Sequence, residues 1–447
     1  MSDNRVFYQK VFSLVMPMAL QNLINVAVTS ADVIMLGKVG EDVLSGASLA
    51  GQVQFIMTLI FFGITSGAAV LTAQYWGKGD IATIEKTMGI SLRFSLIIGL
   101  CFSLAGFLFP AQIMSLFSPE PEVIRQGALY LQIVSVSYIF VSINMIYLNI
   151  MRSVERVLIS TVVYSISLVI NIGINAVLIF GLFGMPALGI QGAAIGTVAA
   201  RVSEFLIILF YDKFFNNVIR FRISSLWESN PLLLKDFLKY SLPVTLNELM
   251  WGTGNAMNAL IIGHLGSAAV AANSVAQVTR QLATVIAMGI ANATAIIIGK
   301  TIGERKYELA EIYSKKLLRL TLAAGLCGAL LILIIRPIAV NSMDLSPLAK
   351  EYMSFMMFVM AYFTVIFSYN TTQIVGIFRA GGDTRFGLYL DVSTMWGCCI
   401  LLGAAAAFIF ELPVPIVYLI LTGDEIIKTP FTIYRYKSRV WLKNITR

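Results

Sequence analysis

The chain has 447 residues, of which 58% are hydrophobic and 13% charged, about half the charged share of a soluble globular protein. Its 32 basic and 24 acidic residues leave a formal charge of +8, but they are too dispersed among apolar runs to form the water-exposed basic face that a nucleic-acid binder needs. With His264 as its single histidine, the chain cannot assemble a His-based metal cluster or a catalytic triad, and neither an enzyme, a transition-metal site nor a cofactor is expected.

Apolar runs of about 20 residues, each able to cross a hydrocarbon core about 30 Å thick as a helix, recur along the whole length. Twelve spans are predicted at roughly 11–36, 48–73, 89–110, 127–150, 158–181, 188–211, 237–262, 270–298, 317–340, 352–376, 386–410 and 413–433. The first follows a short charged lead (Arg5, Lys10), carries Pro17 and shows no small-residue cleavage site, so it reads as a retained span. Of the 32 Lys and Arg, 26 fall on one side together with both termini. Lys38, Arg125, Arg336 and Lys350 fall on the other, and Arg201 and Arg280 lie within spans. This bias predicts cytoplasmic termini in a plasma (inner) membrane protein. Cys101, Cys327, Cys398 and Cys399 all fall within spans, form no CxxC pair and read as small core hydrophobes. Thr294 to Thr301 ends in Gly-Lys-Thr but lacks the leading glycine of a phosphate loop and follows a membrane helix, so no ATPase is expected.

Sliding the sequence on itself by 226 positions pairs Pro17 with Pro243, Gly37 with Gly263, Gly40 with Gly266 and Gly63 with Gly289. The same register pairs Gly77 with Gly303, Glu85 with Glu311, Arg93 with Arg319 and Cys101 with Cys327. One register held across three spans is an internal repeat. Six spans per repeat give both halves the same orientation, hence parallel repeats. The expected organisation is a six-helix lobe at 1–211, a cytoplasmic interlobe linker at 212–236 (Lys213, Arg220, Arg222, Glu228, Lys235, Asp236) and a second six-helix lobe at 237–447.

The order of several motifs on this frame resembles the multidrug and toxic-compound extrusion family. They are Pro17 with Asp32 and Gly37, Asn171-Ile-Gly-Ile-Asn175 leading to Leu178-Ile-Phe-Gly181, Pro186-Ala-Leu-Gly-Ile-Gln-Gly-Ala-Ala194 through Arg201, and Arg379-Ala-Gly-Gly-Asp-Thr-Arg385. The resemblance implies an all-α membrane protein with a V-shaped central cleft between its lobes. It also implies export of small, amphiphilic, mainly cationic organic compounds in exchange for H⁺ or Na⁺, by rocking alternating access. The superfamily also contains lipid-linked-precursor flippases, which would need a strongly cationic cavity; only Arg201 and Arg280 lie well inside spans here, away from the span ends. A channel or a transport-dead receptor is the alternative from another class. The protein is expected to be a monomer whose only other partner is membrane lipid.

An ionisable group at mid-membrane costs about 2.5 to 3.5 kcal/mol on insertion scales and needs a partner or a role. Gln21, Asn25 and Asp32 form one stripe of span one, and Asn171 and Asn175 share a face of span five at similar depth. Asp32, the two asparagines and Thr197 offer the oxygens that a hard cation such as Na⁺ prefers. In archaeal relatives an acid stands where this chain has Asn175, so the resemblance carries over Asp32, Asn171 and Thr197 and leaves one negative charge.

In the second half, Glu248 shares a face with Asn255; it either serves a cationic solute or pairs with Arg280, which lies at a similar depth. Relatives with a proton site in that lobe carry acids near the positions of Trp251 and Asn370. Trp251, with Met250 and Met257, lines an adaptable cleft or packs in the core. Asp391, and Asp424 with Glu425 beside Lys428, are expected to be solvated or salt-bridged at the cytoplasmic mouth. Arg201 and Glu204 are spaced to pair on one helix face.

Overall fold

The computed structural model describes residues 2–220, 223–228, 230–343 and 345–447, and among them every regular element is helical. Helices are the expected outcome, because a bilayer offers no water to satisfy backbone N–H and C=O groups and a helix satisfies them within itself. Twelve membrane-length elements follow in order: α1 (Ser2–Gly37), α2 (Glu41–Lys78), α3 (Ile81–Leu108), α4 (Pro121–Ser153), α5 (Leu158–Phe180), α6 (Ile190–Phe214), α7 (Pro231–His264), α8 (Ser267–Gly303), α9 (Tyr307–Ser342), α10 (Pro347–Phe378), α11 (Thr384–Phe408) and α12, made of Val414–Leu421 and Asp424–Lys437. Ten of them are long and apolar enough to cross a membrane by those criteria alone. The exceptions are informative: α7 carries Lys235, Asp236, Lys239 and Glu248, and α12 breaks at Thr422–Gly423 and then carries Asp424, Glu425 and Lys428.

The helix ends are set by local chemistry. Asp80 caps α3, accepting from the Thr83 amide (3.1 Å) and the Thr83 hydroxyl (2.8 Å), and Ser346 caps α10 by accepting from the Ala349 amide (3.2 Å). Gly181 stops α5 in the left-handed region (φ 70°), which leaves it free of a Cβ penalty.

By packing, the chain divides into two compact units, neither continuous in sequence. One comprises residues 1–19, 73–79 and 239–447, and the other comprises 20–72 and 80–238. The core of the first gathers Ile261, Met353, Met356, Met357, Met360, Val417 and Tyr418; the four methionines recur at helical spacing on one face of α10. The second packs Leu36, Ala47, Ile179, Ile190 and Ala193. Cys399 is buried as expected, but Cys101 and Cys327 are exposed. Their equivalent positions in the repeat place both on outward faces of α3 and α9, where a thiol is apolar enough to face lipid.

Arg222 of the expected linker lies outside the described residues. Three other residues of that segment are held on α3: Arg93 donates to the carbonyls of Leu226 (2.7 Å) and Glu228 (2.9 Å), and Glu85 accepts from the Arg220 amide (2.9 Å).

Candidate functional site

In the unit formed by residues 20–72 and 80–238, a cavity of about 470 Å³ opens between α1, α2, α4, α5 and α6. Its wall includes Asn25, Asp32, Tyr130, Tyr164, Asn171, Thr197, Arg201 and Glu204. Three of the four residues expected to hold a cation therefore line one cavity, and the fourth, Asn175, is fully buried behind it.

Asn175 nonetheless differs from expectation. Its amide nitrogen donates to Asp32 Oδ1 (2.6 Å) and to Asn171 Oδ1 (3.3 Å), so it presents a donor and not an oxygen. Its Oδ1 has no partner and lies where a Cβ on residue 196 would be, which is why Gly196 stands there. The donor orientation follows from charge: a carboxylate takes the amide N–H in preference to its oxygen. Thr197 donates its hydroxyl proton to the Ala193 carbonyl (3.1 Å), and the Tyr130 side chain is hydrogen-bonded to the same hydroxyl.

Gln21 does not join this wall. Its amide donates to Ser160 (3.1 Å) and Thr161 (2.9 Å) at the start of α5, and its Oε1 accepts from Arg152 (3.4 Å). The polar stripe of α1 therefore splits, with Asn25 and Asp32 at the cavity and Gln21 holding α5 in place.

Arg201 and Glu204 do pair (2.6 Å), and they do so in the cavity wall. Glu204 is buried and also accepts from Ser167 (2.6 Å) and Asn144 (3.1 Å), so every hydrogen bond it makes is inward. The positions 197, 201 and 204 lie on one face of α6, a spacing that foretells their meeting; the tyrosines of the wall carry no such sequence signal.

In the other unit, Glu248 pairs with Arg379 (2.8 Å) and not with Arg280. Arg280 donates Nε to Gln277 on its own helix (2.9 Å), and its guanidinium lies 5.6 and 5.7 Å from the rings of Phe363 and Phe367. Similar depth on neighbouring helices did not bring the two side chains together, because Arg280 is held toward α10. Asn255 donates to the Trp251 carbonyl (2.9 Å), and Trp251 and Met257 pack against the methionine-rich core.

The strongest charge cluster in this unit is the one expected to be solvated or salt-bridged at the cytoplasmic mouth; it is salt-bridged, and it is buried. Lys428 Nζ lies 2.8 Å from Asp391, 2.8 Å from Asp424 and 3.1 Å from Glu425, and all four residues are buried. Asn370 donates to both Oε2 and the backbone carbonyl of Glu425 (2.8 Å each) and accepts from Thr432 (3.1 Å). Asn370 and Asp391 each stand just before a π-helical stretch, Thr372–Phe378 and Val392–Ile400. Such wide turns rotate the side chains around them off the regular helical face, and they gather at functional places. Among the described residues, no group of three His, Cys, Asp or Glu is arranged to hold a metal ion; the three acids here converge on an ammonium group.

Residues 17–177 and 243–409 both match the family MatE, and these two segments follow the repeat. The chain is 22% identical over 444 residues to the uncharacterized transporter YisQ of Bacillus subtilis, covering 97% of this chain and 94% of that one. It is 26% identical to the probable multidrug resistance protein NorM of Bradyrhizobium diazoefficiens, covering 72% and 69%. A crystal structure of MATE in the bent conformation superposes with a TM-score of 0.87 at 17% identity, covering 97% of this chain and 95% of the other.

Proposed function

The chain belongs to the MatE family of multidrug efflux transporters, and on that premise we propose that it is a secondary active exporter driven by cation antiport, with Asp32 as the coupling residue. The observation that carries this reading is the placement of Asp32 in the cavity wall with Asn171 and Thr197, held by Asn175. A proton on Asp32, or Na⁺ beside it, neutralises the same charge. Accepting Na⁺ requires the Asn175 amide to turn its oxygen toward the site, which exchanges one donor contact for one oxygen ligand. A cation bound more tightly in one conformation than in the other shifts the equilibrium by that difference in affinity, and antiport needs only that the solute prefer the opposite conformation.

In this reading the lobes 1–211 and 237–447 rock about a central site, the solute is a small amphiphilic organic cation, and the basic side with both termini faces the cytoplasm of the plasma membrane. The protein carries no covalent chemistry and needs no cofactor beyond the coupling ion. The test is flux of a fluorescent organic cation in proteoliposomes with pH and Na⁺ gradients imposed separately. Asp32→Asn is expected to fold and to lose gradient-driven export. Full export by that variant under both gradients rejects the assignment.

A further inference from the structure

A groove on the outside of the unit containing α7 to α12 has no part in the export reading. It starts at a cavity of about 350 Å³ lined by Arg336, Glu351, Ser354, Phe358 and Pro415 among others, where α9 ends and α10 and α12 begin. Arg336 is preset by Ser354, whose hydroxyl accepts from Nε (3.1 Å) and from Nη2 (2.7 Å), and by the Phe358 ring 5.7 Å from its guanidinium. Arg336 lines the cavity, and its Nη1 donates to no protein acceptor among the described residues. Glu351 lines the same cavity and makes no ion pair with it. Two opposite charges thus share one space without joining.

Phe358 also begins a second cavity, of about 170 Å³, walled by Val359, Tyr362 and Ile366 of α10 and by Leu419 and Ile426 of α12. Phe358, Tyr362 and Leu419 are 55%, 60% and 48% exposed, so this stretch faces the lipid. The two helices descend together, and from Phe358 to Ile366 the rise is about 12 Å, against roughly 15 Å of hydrocarbon in one leaflet. Glu425 closes the deep end with its carboxylate committed to Lys428 and Asn370.

We propose that this groove is a binding site for one zwitterionic phospholipid of the phosphatidylethanolamine type. The phosphodiester sits on Arg336, whose planar guanidinium suits phosphate oxygens. The primary ammonium sits on Glu351, and an acyl chain lies between α10 and α12, held by van der Waals packing against their apolar side chains. An anionic lipid without the ammonium leaves Glu351 facing a phosphate, and a quaternary ammonium has no N–H to donate. The site is independent of which solute or cation is transported and requires only that α10 and α12 lie in the bilayer.

The test uses the full-length purified chain, delipidated in detergent, with phosphatidylethanolamine, phosphatidylglycerol or phosphatidylcholine of matched chain length added, and lipid retention read by native mass spectrometry alongside the melting temperature. Phosphatidylethanolamine is expected to be retained best and to raise the melting temperature. Glu351→Gln should lower its retention about five-fold, the size of one half-exposed ion pair, without changing the lipid-free melting temperature. Leu419→Trp, which fills the apolar groove, should lower retention of all three lipids. Glycerophosphoethanolamine, which has the headgroup and no chains, should not compete. Equal retention of phosphatidylglycerol, undiminished phosphatidylethanolamine on Glu351→Gln, or full competition by the free headgroup each overturns the proposal.

Discussion

Ala73 and Gly299 are equivalent positions of the 226-residue repeat, and they meet: a Cβ on Gly299 would lie 2.8 Å from the Cβ of Ala73. The relation continues along the crossing of α2 and α8. A Cβ on Gly77 would run into the Lys300 carbonyl, and one on Gly303 into the Gln74 carbonyl; 77 and 303, and 74 and 300, are again equivalent pairs. The glycines are needed for the close backbone approach, and Gln74, buried beside them, donates to the carbonyls of Ala380 (2.7 Å) and Lys443 (3.1 Å). Gly77→Ala and Gly303→Ala are each expected to lower stability by about 1 to 3 kcal/mol, the usual cost of overpacking. Melting temperatures in detergent check this, and two variants as stable as the parent would mean that the crossing is not close-packed.

Gly196 tests the coupling site from behind. Gly196→Ala must displace the Asn175 amide and with it the donor to Asp32, so it should abolish gradient-driven flux while the protein still inserts. Gly173, two residues before Asn175 on α5, faces open space; Gly173→Ala should retain flux and, since Ala is the better helix former by about 1 kcal/mol, should not lower the melting temperature. Parallel loss of flux in both variants would make the effect one of α5 in general and not of the Asn175 amide.

The fold was legible because its signals are long. Twelve spans, the repeat and the family motifs all rest on tens of residues, and even α7, made polar by Asn247, Asn255 and Asn258, and α12, broken at Thr422–Gly423, read as runs of span length. The cavity proposed to couple transport was legible in part, since Asn171 and Asn175 follow helical spacing within one span and Asp32 and Thr197 stand out as polar groups in theirs. What escaped was anything decided by the rotation of one helix against another. Glu248 and Arg280 agree in depth, yet Arg379 holds Glu248, and Arg379 follows the wide turns of Thr372–Phe378, which a 100°-per-residue projection does not anticipate. The acids around Lys428 were expected to be solvated or salt-bridged, and they are salt-bridged; what the sequence did not show is that the cluster is buried, with a π-helical stretch directly after Asp391.

The Glu248–Arg379 pair is buried on both sides, with side chains 13% and 5% exposed. Breaking it from one side takes the carboxylate away from a buried guanidinium, so Glu248→Gln is expected to cost about 3 kcal/mol, and Glu248→Gln with Arg379→Gln should recover part of that. Glu248→Gln combined with Arg280→Gln should recover nothing. Thermal unfolding of these proteins together with the single Arg379→Gln variant closes the double-mutant cycle and gives the coupling energy, and recovery by the Arg280 combination alone would reassign the partner.

Lys428 is a keystone of a different kind. One ammonium stands among three buried carboxylates, at 2.8, 2.8 and 3.1 Å, and in a low dielectric three adjacent anions without it would repel one another strongly. Lys428→Met removes the only cation they share in this cluster and should cost at least the 3 to 5 kcal/mol typical of a broken buried pair, about the whole margin of some proteins. Asp391→Asn leaves Lys428 with two carboxylates and a neutral acceptor of the same shape, so its cost should be well under half of that. Combining Asp391→Asn with Lys428→Met removes one of the three repelling charges, and the double variant should therefore be more stable than Lys428→Met alone. Measured melting temperatures should rank parent, Asp391→Asn, the double variant and Lys428→Met in that order. A Lys428→Met protein that melts with the parent would mean that the three acids do not depend on the ammonium for their charge balance.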